Sequence, residues 1–291
     1  MLDNYDVIVV GAGHAGCEAA AAAANLGSKT LLITIDMNKI AQMSCNPAMG
    51  GVAKGQIVKE IDALGGYAGI ITDKSMIQFR MLNMSKGPAM WSPRAQCDRM
   101  VFSAEWRNTL ESLQNLDFWQ DSVVDLIIEK SKVTGVITDL GVKFKAKCVI
   151  LTAGTFLNGL MHIGQTKIVG GRISEPSVSG LTEQLANHGF TYDRMKTGTP
   201  VRIDGRTVDF SKLQKQDGDD HIMPFSYLHT YNQTFLKQRS CYIAYTDQEV
   251  HSTLKTGLEE SPLYDGTIQS IGPRYCPSIE TKLDTFPDKD K

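Results

Sequence analysis

A glycine motif set between a strand and a helix limits this chain more than any other feature. Residues 5–10 are a short apolar, β-branched run and are expected to form a buried strand. Gly11, Ala12, Gly13, His14, Ala15 and Gly16 follow at once, in G-x-G-x-x-G spacing. Residues 17–26 read as an alanine-rich helix ended by Gly27, and residues 29–34 as a second strand. This β-turn-α-β setting is what a dinucleotide-binding fingerprint requires. Gly11 is expected to make the tight turn, Gly13 to let the backbone approach a pyrophosphate, and Gly16 to let the helix pack closely on the strand. The helix N-terminus would then present free N–H groups and the positive end of its dipole to the phosphates. One feature departs from the fingerprint. The ribose-binding carboxylate is due at the end of the second strand, where Thr34 stands, and Asp36 lies two residues later. Either Asp36 or a polar neighbour would serve the ribose.

Composition narrows the class. A length of 291 residues suggests two domains, and 42% hydrophobic against 21% charged residues is the balance of a globular protein. The net charge of −2 gives no sign of a nucleic-acid binder, although local basic stretches exist. No apolar run approaches the ~20 residues that span a bilayer. Residues 1–3 lead into the first strand without the basic region and cleavage site of a signal peptide, so a cytoplasmic location is expected. Cysteines stand at 17, 45, 97, 148, 241 and 276 with no CxxC pair, which disfavours a zinc ribbon or a thioredoxin-type motif; no metal site is expected. In a reducing compartment a cysteine with a task works as a thiol.

Two thiols stand out. Cys45 lies in a Ser-Cys-Asn-Pro-Ala-Met-Gly-Gly loop ahead of a helix expected over 52–64 and ended by Gly65 and Gly66. A dipole there can favour thiolate, although a buried structural cysteine fits equally well. Lys54 opens the same helix. Cys276 lies in Gly-Pro-Arg-Tyr-Cys-Pro-Ser (272–278), beside Arg274. Between the two thiols, Arg80, Lys86, Arg94, Arg99 and Arg107 face only Asp98 and Glu105, and residues 86–94 read as an irregular loop with two prolines and Trp91. Such a loop can hold a phosphate or a base. Phe102, Trp106, Leu110 and Leu113 form a helical stripe expected in the core. Residues 123–129, 133–138, 142–144 and 148–151 read as four short strands, with 143–147 at a solvated edge. The last runs into Thr152, Ala153 and Gly154. Further on, Lys196-Thr-Gly-Thr-Pro-Val-Arg202 is a turn-rich basic piece suited to phosphate contacts, and residues 241–246 read as a strand.

A β-meander returning to a strand that ends in Thr-Ala-Gly resembles the FAD-binding fold of the two-dinucleotide-binding flavoproteins. With the Cys45 loop, residues 196–200 and residues 272–278, the sequence resembles the GidA/MnmG family of bacterial tRNA uridine 5-carboxymethylaminomethyl modification enzymes over essentially its whole length. The resemblance implies an α/β, Rossmann-like FAD-binding fold with a β-meander and an inserted α/β domain. It divides the chain into an FAD-binding domain over 1–198, an inserted NADH and substrate domain over 199–275, and a truncated return over 276–291. Family members run on for about as many residues again, so this is expected to be an N-terminal piece, inactive alone. The resemblance implies FAD at Gly11, Ala12, Gly13, His14, Ala15, Gly16, Val123, Thr152, Ala153 and Gly154. It implies NADH at Gly272, Pro273, Arg274, Tyr275, Cys276, Pro277 and Ser278, with the nicotinamide stretch reaching Phe286. It implies a one-carbon unit from methylenetetrahydrofolate, a wobble-uridine tRNA held in part by Lys196, Arg202 and Arg274, the GTPase MnmE as partner in a heterotetramer, and a homodimer away from the membrane. Cys45 and Cys276 match the family's essential cysteines, and Trp91 stands where other members often carry arginine. The chemistry is compatible: C5 of uracil is a poor nucleophile until a thiolate adds at C6. Other readings are a folate- and FAD-dependent tRNA uridine C5-methyltransferase, a non-catalytic flavin-binding tRNA scaffold, and a flavin-dependent disulfide reductase, the last disfavoured by the absence of CxxC.

Overall fold

The computed structural model describes residues 4–229, 234–270 and 278–286. Its first strand, β1 (Asn4–Val10), leads through the glycine loop into α1 (His14–Asn25) and returns as β2 (Thr30–Thr34). β1 and β2 pair in parallel, with Val7 opposite Thr30 and Val10 opposite Ile33. The helix ends as its sequence dictates: Gly27, at φ +85°, carries the chain out, and its N–H donates to Ala24 O at 3.0 Å. The face of α1 toward the sheet is small, with Gly16, Cys17, Ala20, Ala21 and Ala24 all buried, so the helix lies close against the strands.

Between β2 and the next strand of this sheet, the chain makes β3 (Ala48–Gly50), α2 (Lys54–Ala63), α3 (Ala68–Ser75), β4 (Met76–Leu82), β5 (Ser92–Cys97) and α4 (Arg99–Glu111). β3, β5 and β4 form a separate antiparallel sheet with β5 in the middle. Residues 92–94, expected as irregular loop, are therefore strand: Ser92, Pro93 and Arg94 pair with Leu82, Met81 and Arg80. Proline is tolerated there because the β3 pairing ends at Gly50 opposite Arg94, so no strand acceptor awaits its missing N–H, while its carbonyl accepts from Gly51 N–H at 2.8 Å. The stripe Phe102, Trp106 and Leu110 on α4 is fully buried, with Leu113 packed beside it. Glu18 ties α1 to this region by accepting from the N–H groups of Tyr67 and Ala68 at the start of α3. Burial is the main reason its carboxyl sits above the usual range.

β6 (Leu116–Gln120) returns to the first sheet, followed by the meander β7 (Val123–Glu129), β8 (Lys132–Thr138) and β9 (Lys143–Leu151). The order is β6-β2-β1-β9-β8-β7: β6, β2, β1 and β9 run parallel, and β8 and β7 complete the sheet antiparallel. The third and fourth short strands expected from the sequence are one strand, β9, and residues 143–147 are not at an edge. Lys145 pairs with Asn4 on one side and with Gly135 on the other. Period-2 alternation explains the misreading: Lys143, Lys145 and Lys147 point to the exposed face while Phe144 is buried. The same alternation splits the core, with Val9 and Leu32 facing α1 and α4, and Ile8, Val10, Leu31 and Ile33 facing the meander side. The architecture is α/β and Rossmann-like, of the FAD-binding type.

Beyond β9 lie the hairpin β10 (Leu160–Ile163) and β11 (Thr166–Val169), then α5 (Leu181–Asn187). The later elements are short: β12 (Gln214–Gln216) paired with β13 (Cys241–Ile243), α6 (Gln248–Thr256) and α7 (Ile279–Thr285). The strand expected over 241–246 stops at Ile243 because Asp247 caps α6, accepting from Val250 N–H at 2.8 Å.

Candidate functional site

The glycine loop, the end of β2, residue 121 after β6 and Thr152 after β9 all lie at the carboxyl ends of the parallel strands, the rim where open α/β sheets hold ligands. Gly11 has φ +98°, and its N–H donates to Ile33 O at 2.8 Å, tying the turn to β2. Thr152 closes the loop from the other side. Its hydroxyl shares its one proton between Val10 O and Gly11 O, each 2.8 Å away. A Cβ on Gly16 would stand 1.8 Å from Gly11 O and 2.7 Å from Thr152 Oγ1, so any side chain there would force the helix off the strand. Gly13 is different: a Cβ would meet nothing within 4 Å, and Gly13 and Ala15 are exposed. This lip, at the N-terminus of α1, is open for an anionic ligand to approach. Ala12 is buried beneath it. Gly154 is exposed at φ +57°, with Ala153 half-buried beside it.

His14 turns inward. Its ring lies 5.3 Å from that of Phe102, and Nε2 is 3.2 Å from Ala41 O. Burial, and next the Arg172 guanidinium, push its pKa below the ordinary 6.5, so at neutral pH it is an uncharged imidazole. The expected ribose position, Thr34, is at the buried end of β2. Asp36 already has partners: it caps a 3₁₀ turn by accepting from Asn38 N–H at 2.8 Å, and it lies 3.6 Å from Lys39 Nζ. Lys39 also reaches Glu175 at 3.4 Å, and Glu175 pairs with Arg172 at 2.8 Å. Arg172 lies over the Phe156 ring and keeps a buried Nε without a partner. Sequence reasoning missed this Lys39–Glu175–Arg172 group, since nothing in the spacing links residue 39 to residues 172–175. Val123 opens β7 and is buried; just before it, Asp121 N–H donates to Thr34 O at 2.9 Å, which sets Val123 on the same rim.

The Cys45 loop is a second centre. Cys45 is half-buried and its Sγ lies 3.8 Å from Gly198 O. β3 separates the thiol from α2, so Cys45 does not sit at that helix's N-terminus. Asn46 Oδ1 accepts from Gln96 Nε2 at 2.9 Å, and Pro47 O from Cys97 N–H at 2.7 Å, which fastens the loop to β5. Below it, Gly50 faces Phe225: a Cβ there would stand 2.9 Å from the ring and 2.2 Å from Pro93 O. Phe225 is held in turn by side chains of α2 and α3. Asp73 accepts from the N–H groups of Phe225 and Ser226 at 2.7 and 2.9 Å, Asp62 from Tyr227 N–H at 2.8 Å, and Lys59 donates to Pro224 O at 3.0 Å.

The basic residues divide. Arg80 lies 3.9 Å from Asp219 and Arg107 2.7 Å from Glu111, whereas Lys86 is exposed on a turn. Lys54 is exposed at the start of α2, and Lys196 is half-exposed. Arg202 bonds the backbone of the Cys45 loop. Gly272, Pro273, Arg274, Tyr275, Cys276 and Pro277 lie outside the described residues; Ser278, next to them, caps α7 by accepting from Thr281 N–H. Among the described residues no helix is long and apolar enough to cross a membrane.

A family model described as glucose inhibited division protein A matches residues 6–291. The chain is 63% identical over 288 residues to the tRNA uridine 5-carboxymethylaminomethyl modification enzyme MnmG of Bacteroides thetaiotaomicron, covering 99% of this chain and 46% of that protein. It is 66% identical over 289 residues to the enzyme of the same name from Parabacteroides distasonis, with 99% and 46% covered. Aquifex aeolicus GidA, in its form I crystal, has the same fold at a TM-score of 0.91 and 47% identity, over 99% of this chain and 49% of that one. The chain thus spans about half the length of the curated relatives it matches. With the family matched from the first strand to the last residue, the chain belongs to the glucose inhibited division protein A (GidA) family.

Proposed function

We propose that this chain is the FAD-binding half of an enzyme that modifies C5 of the wobble uridine of tRNA. The observation that carries the reading is the clasp of Thr152 on the Gly11 turn, which leaves Gly13 and Ala15 as an open lip at a helix N-terminus. That lip suits the diphosphate of FAD, and the names of the relatives supply the tRNA substrate. When bound, FAD would supply redox chemistry, with NADH as reductant and methylenetetrahydrofolate as one-carbon donor. Ala12, Gly13, His14 and Ala15 would bind the diphosphate, Thr152, Ala153 and Gly154 would close over the cofactor, and Val123 would make a backbone contact. Residues 272–278 would take NADH. The division into 1–198, 199–275 and 276–291, the homodimer, the MnmE partner and the cytoplasmic location belong to the same proposal.

Cys45 and Cys276 are proposed as the catalytic thiols. A thiolate adds to C6 of uracil and places the electron pair at C5, which then attacks the methylene carbon of the folate iminium, whose C=N π pair moves onto the nitrogen. Loss of the C5 proton to a base expels the thiolate and restores the ring. The second thiol serves as that base or as the one-carbon carrier.

The test uses a full-length protein carrying this segment. A flavin absorption spectrum bleached by NADH is expected, and Cys45→Ser and Cys276→Ser are each expected to abolish modified uridine while the spectrum persists. A protein that stays colourless after soaking in excess FAD overturns the cofactor assignment. Normal uridine modification by either variant removes that thiol from the mechanism.

A further inference from the structure

Residues 196–202 carry basic side chains in a turn-rich stretch, and sequence alone suits them to phosphate. The structure gives Arg202 a different task. Its Nη2 donates to Ser44 O at 3.2 Å and to Cys45 O at 3.1 Å, across more than 150 residues of sequence. Four residues earlier on the same stretch, Gly198 O lies 3.8 Å from Cys45 Sγ. We infer that Arg202 is a positioning residue for Cys45: its guanidinium fixes the two carbonyls that flank the Cys45 Cα and holds the 198–202 strip over the sulfur. The inference rests on the proposed catalytic role of Cys45.

The division of labour in the loop supports this. Downstream of the thiol, Asn46 and Pro47 are fastened to β5, and Gly51 N–H donates to Pro93 O at 2.8 Å. At the thiol itself, the carbonyls on either side of the Cys45 Cα, those of Ser44 and Cys45, receive their hydrogen bonds from Arg202. One guanidinium nitrogen, Nη2, donates charge-assisted bonds to two successive carbonyls and so sets a backbone direction, which a lysine ammonium can largely reproduce. Because Arg202 is largely exposed, removing it costs no core packing, and its function can be read without unfolding the protein. The phosphate reading predicts something else. Loss of one phosphate contact weakens tRNA binding and lowers the slope of log K against log salt by about 0.7–0.9.

The experiment compares Arg202→Gln and Arg202→Lys with the parent. In this chain, the iodoacetamide reaction of Cys45 is followed by peptide mass spectrometry. Arg202→Gln is expected to raise the rate at Cys45 at least threefold, as the sulfur loses the cover of Gly198, with Cys148 unchanged as the internal control. Arg202→Lys is expected to restore most of the protection. In a full-length protein carrying the segment, Arg202→Gln is expected to lower kcat about tenfold with KM for tRNA unchanged, the pattern of a misplaced reacting group. An unchanged Cys45 rate in Arg202→Gln overturns the inference, as does a loss of tRNA affinity with the reduced salt slope while Cys45 reacts as in the parent. If Arg202→Gln fails to fold, Arg202→Met takes its place: a raised Cys45 rate supports the inference and an unchanged Cys45 rate overturns it. The alkylation arm needs neither flavin nor turnover. A Cys45→Ser protein that still modifies tRNA would therefore sink the catalytic reading separately from this positioning claim.

Discussion

At the scale of single residues, two glycines of one motif have opposite physical roles. A methyl group at Gly13 meets nothing within 4 Å, and its φ of −73° suits any residue. Gly13→Ala is therefore expected to leave urea stability unchanged and to weaken FAD binding at least tenfold by flavin titration, because the methyl occupies the ligand's approach. Gly16→Ala drives a methyl into Gly11 O and is expected to cost about 3 kcal/mol of stability, read from the urea midpoint, whatever ligand is present. Equal effects of the two substitutions would contradict the assignment of Gly13 to the ligand face. His14 gives a pH signature. Its folded pKa lies below 6.5, so as pH falls through 6.5 the unfolded chain takes up the proton first, and stability is lost until the folded pKa is passed. His14→Asn is expected to flatten the fall in urea midpoint between pH 7 and the folded pKa. The thiols divide as well. Burial pushes Cys17 and Cys97 up to about 12, so at pH 8 iodoacetamide is expected to label exposed Cys148 and spare both.

At the scale of elements, the joints between segments were harder to read than the segments. The opening strand, helix and strand were legible because apolar periodicity and glycine chemistry are local signals. The stripe of α4 was legible for the same reason. The β3–β5–β4 sheet was not, because Pro93 reads as a loop residue until its place in the strand, just beyond the end of the β3 pairing, is known. Nor was the hold on residues 224–227, which depends on carboxylates more than 150 positions upstream. That hold makes a prediction. Asp73 is buried, and its carboxylate accepts from two backbone N–H groups. Asp73→Ala leaves both donors unsatisfied, at about 1–3 kcal/mol each, and is expected to lower stability by about 2–6 kcal/mol and to loosen Phe225 beneath Gly50. Urea unfolding measures the first effect, and hydrogen exchange at residues 225–227 the second. Thr152→Val is the milder element-scale change. It removes the hydroxyl proton shared between Val10 O at the end of β1 and Gly11 O, at nearly constant volume, with an expected cost of about 1–2 kcal/mol.

At the scale of the whole molecule, the two candidate centres rest on unlike supports. The glycine lip stands on a sheet in which β1 is paired on both sides and its core residues Ile8 and Val9 are fully buried. The cover of Cys45 comes from a stretch with exposed Phe190, Tyr192, Met195, Val201 and Ile203, whose backbone bonds are mostly turns to near neighbours. Stability across a protein follows such differences: paired, buried backbone opens only with global unfolding, whereas exposed turns open locally. Amides of β1, β2 and β9 are expected to be the slowest to exchange in native-state hydrogen exchange, and those of residues 189–212 among the fastest. Added FAD is expected to slow exchange at residues 11–16 and 152–154. Uniform exchange across both regions would mean that the sheet does not form the rigid base on which this reading of the site depends. Under the function proposed above, a rigid rim beneath the cofactor and a loosely held thiol cover would suit a reaction in which the cofactor stays while a bulky nucleic-acid substrate enters and leaves.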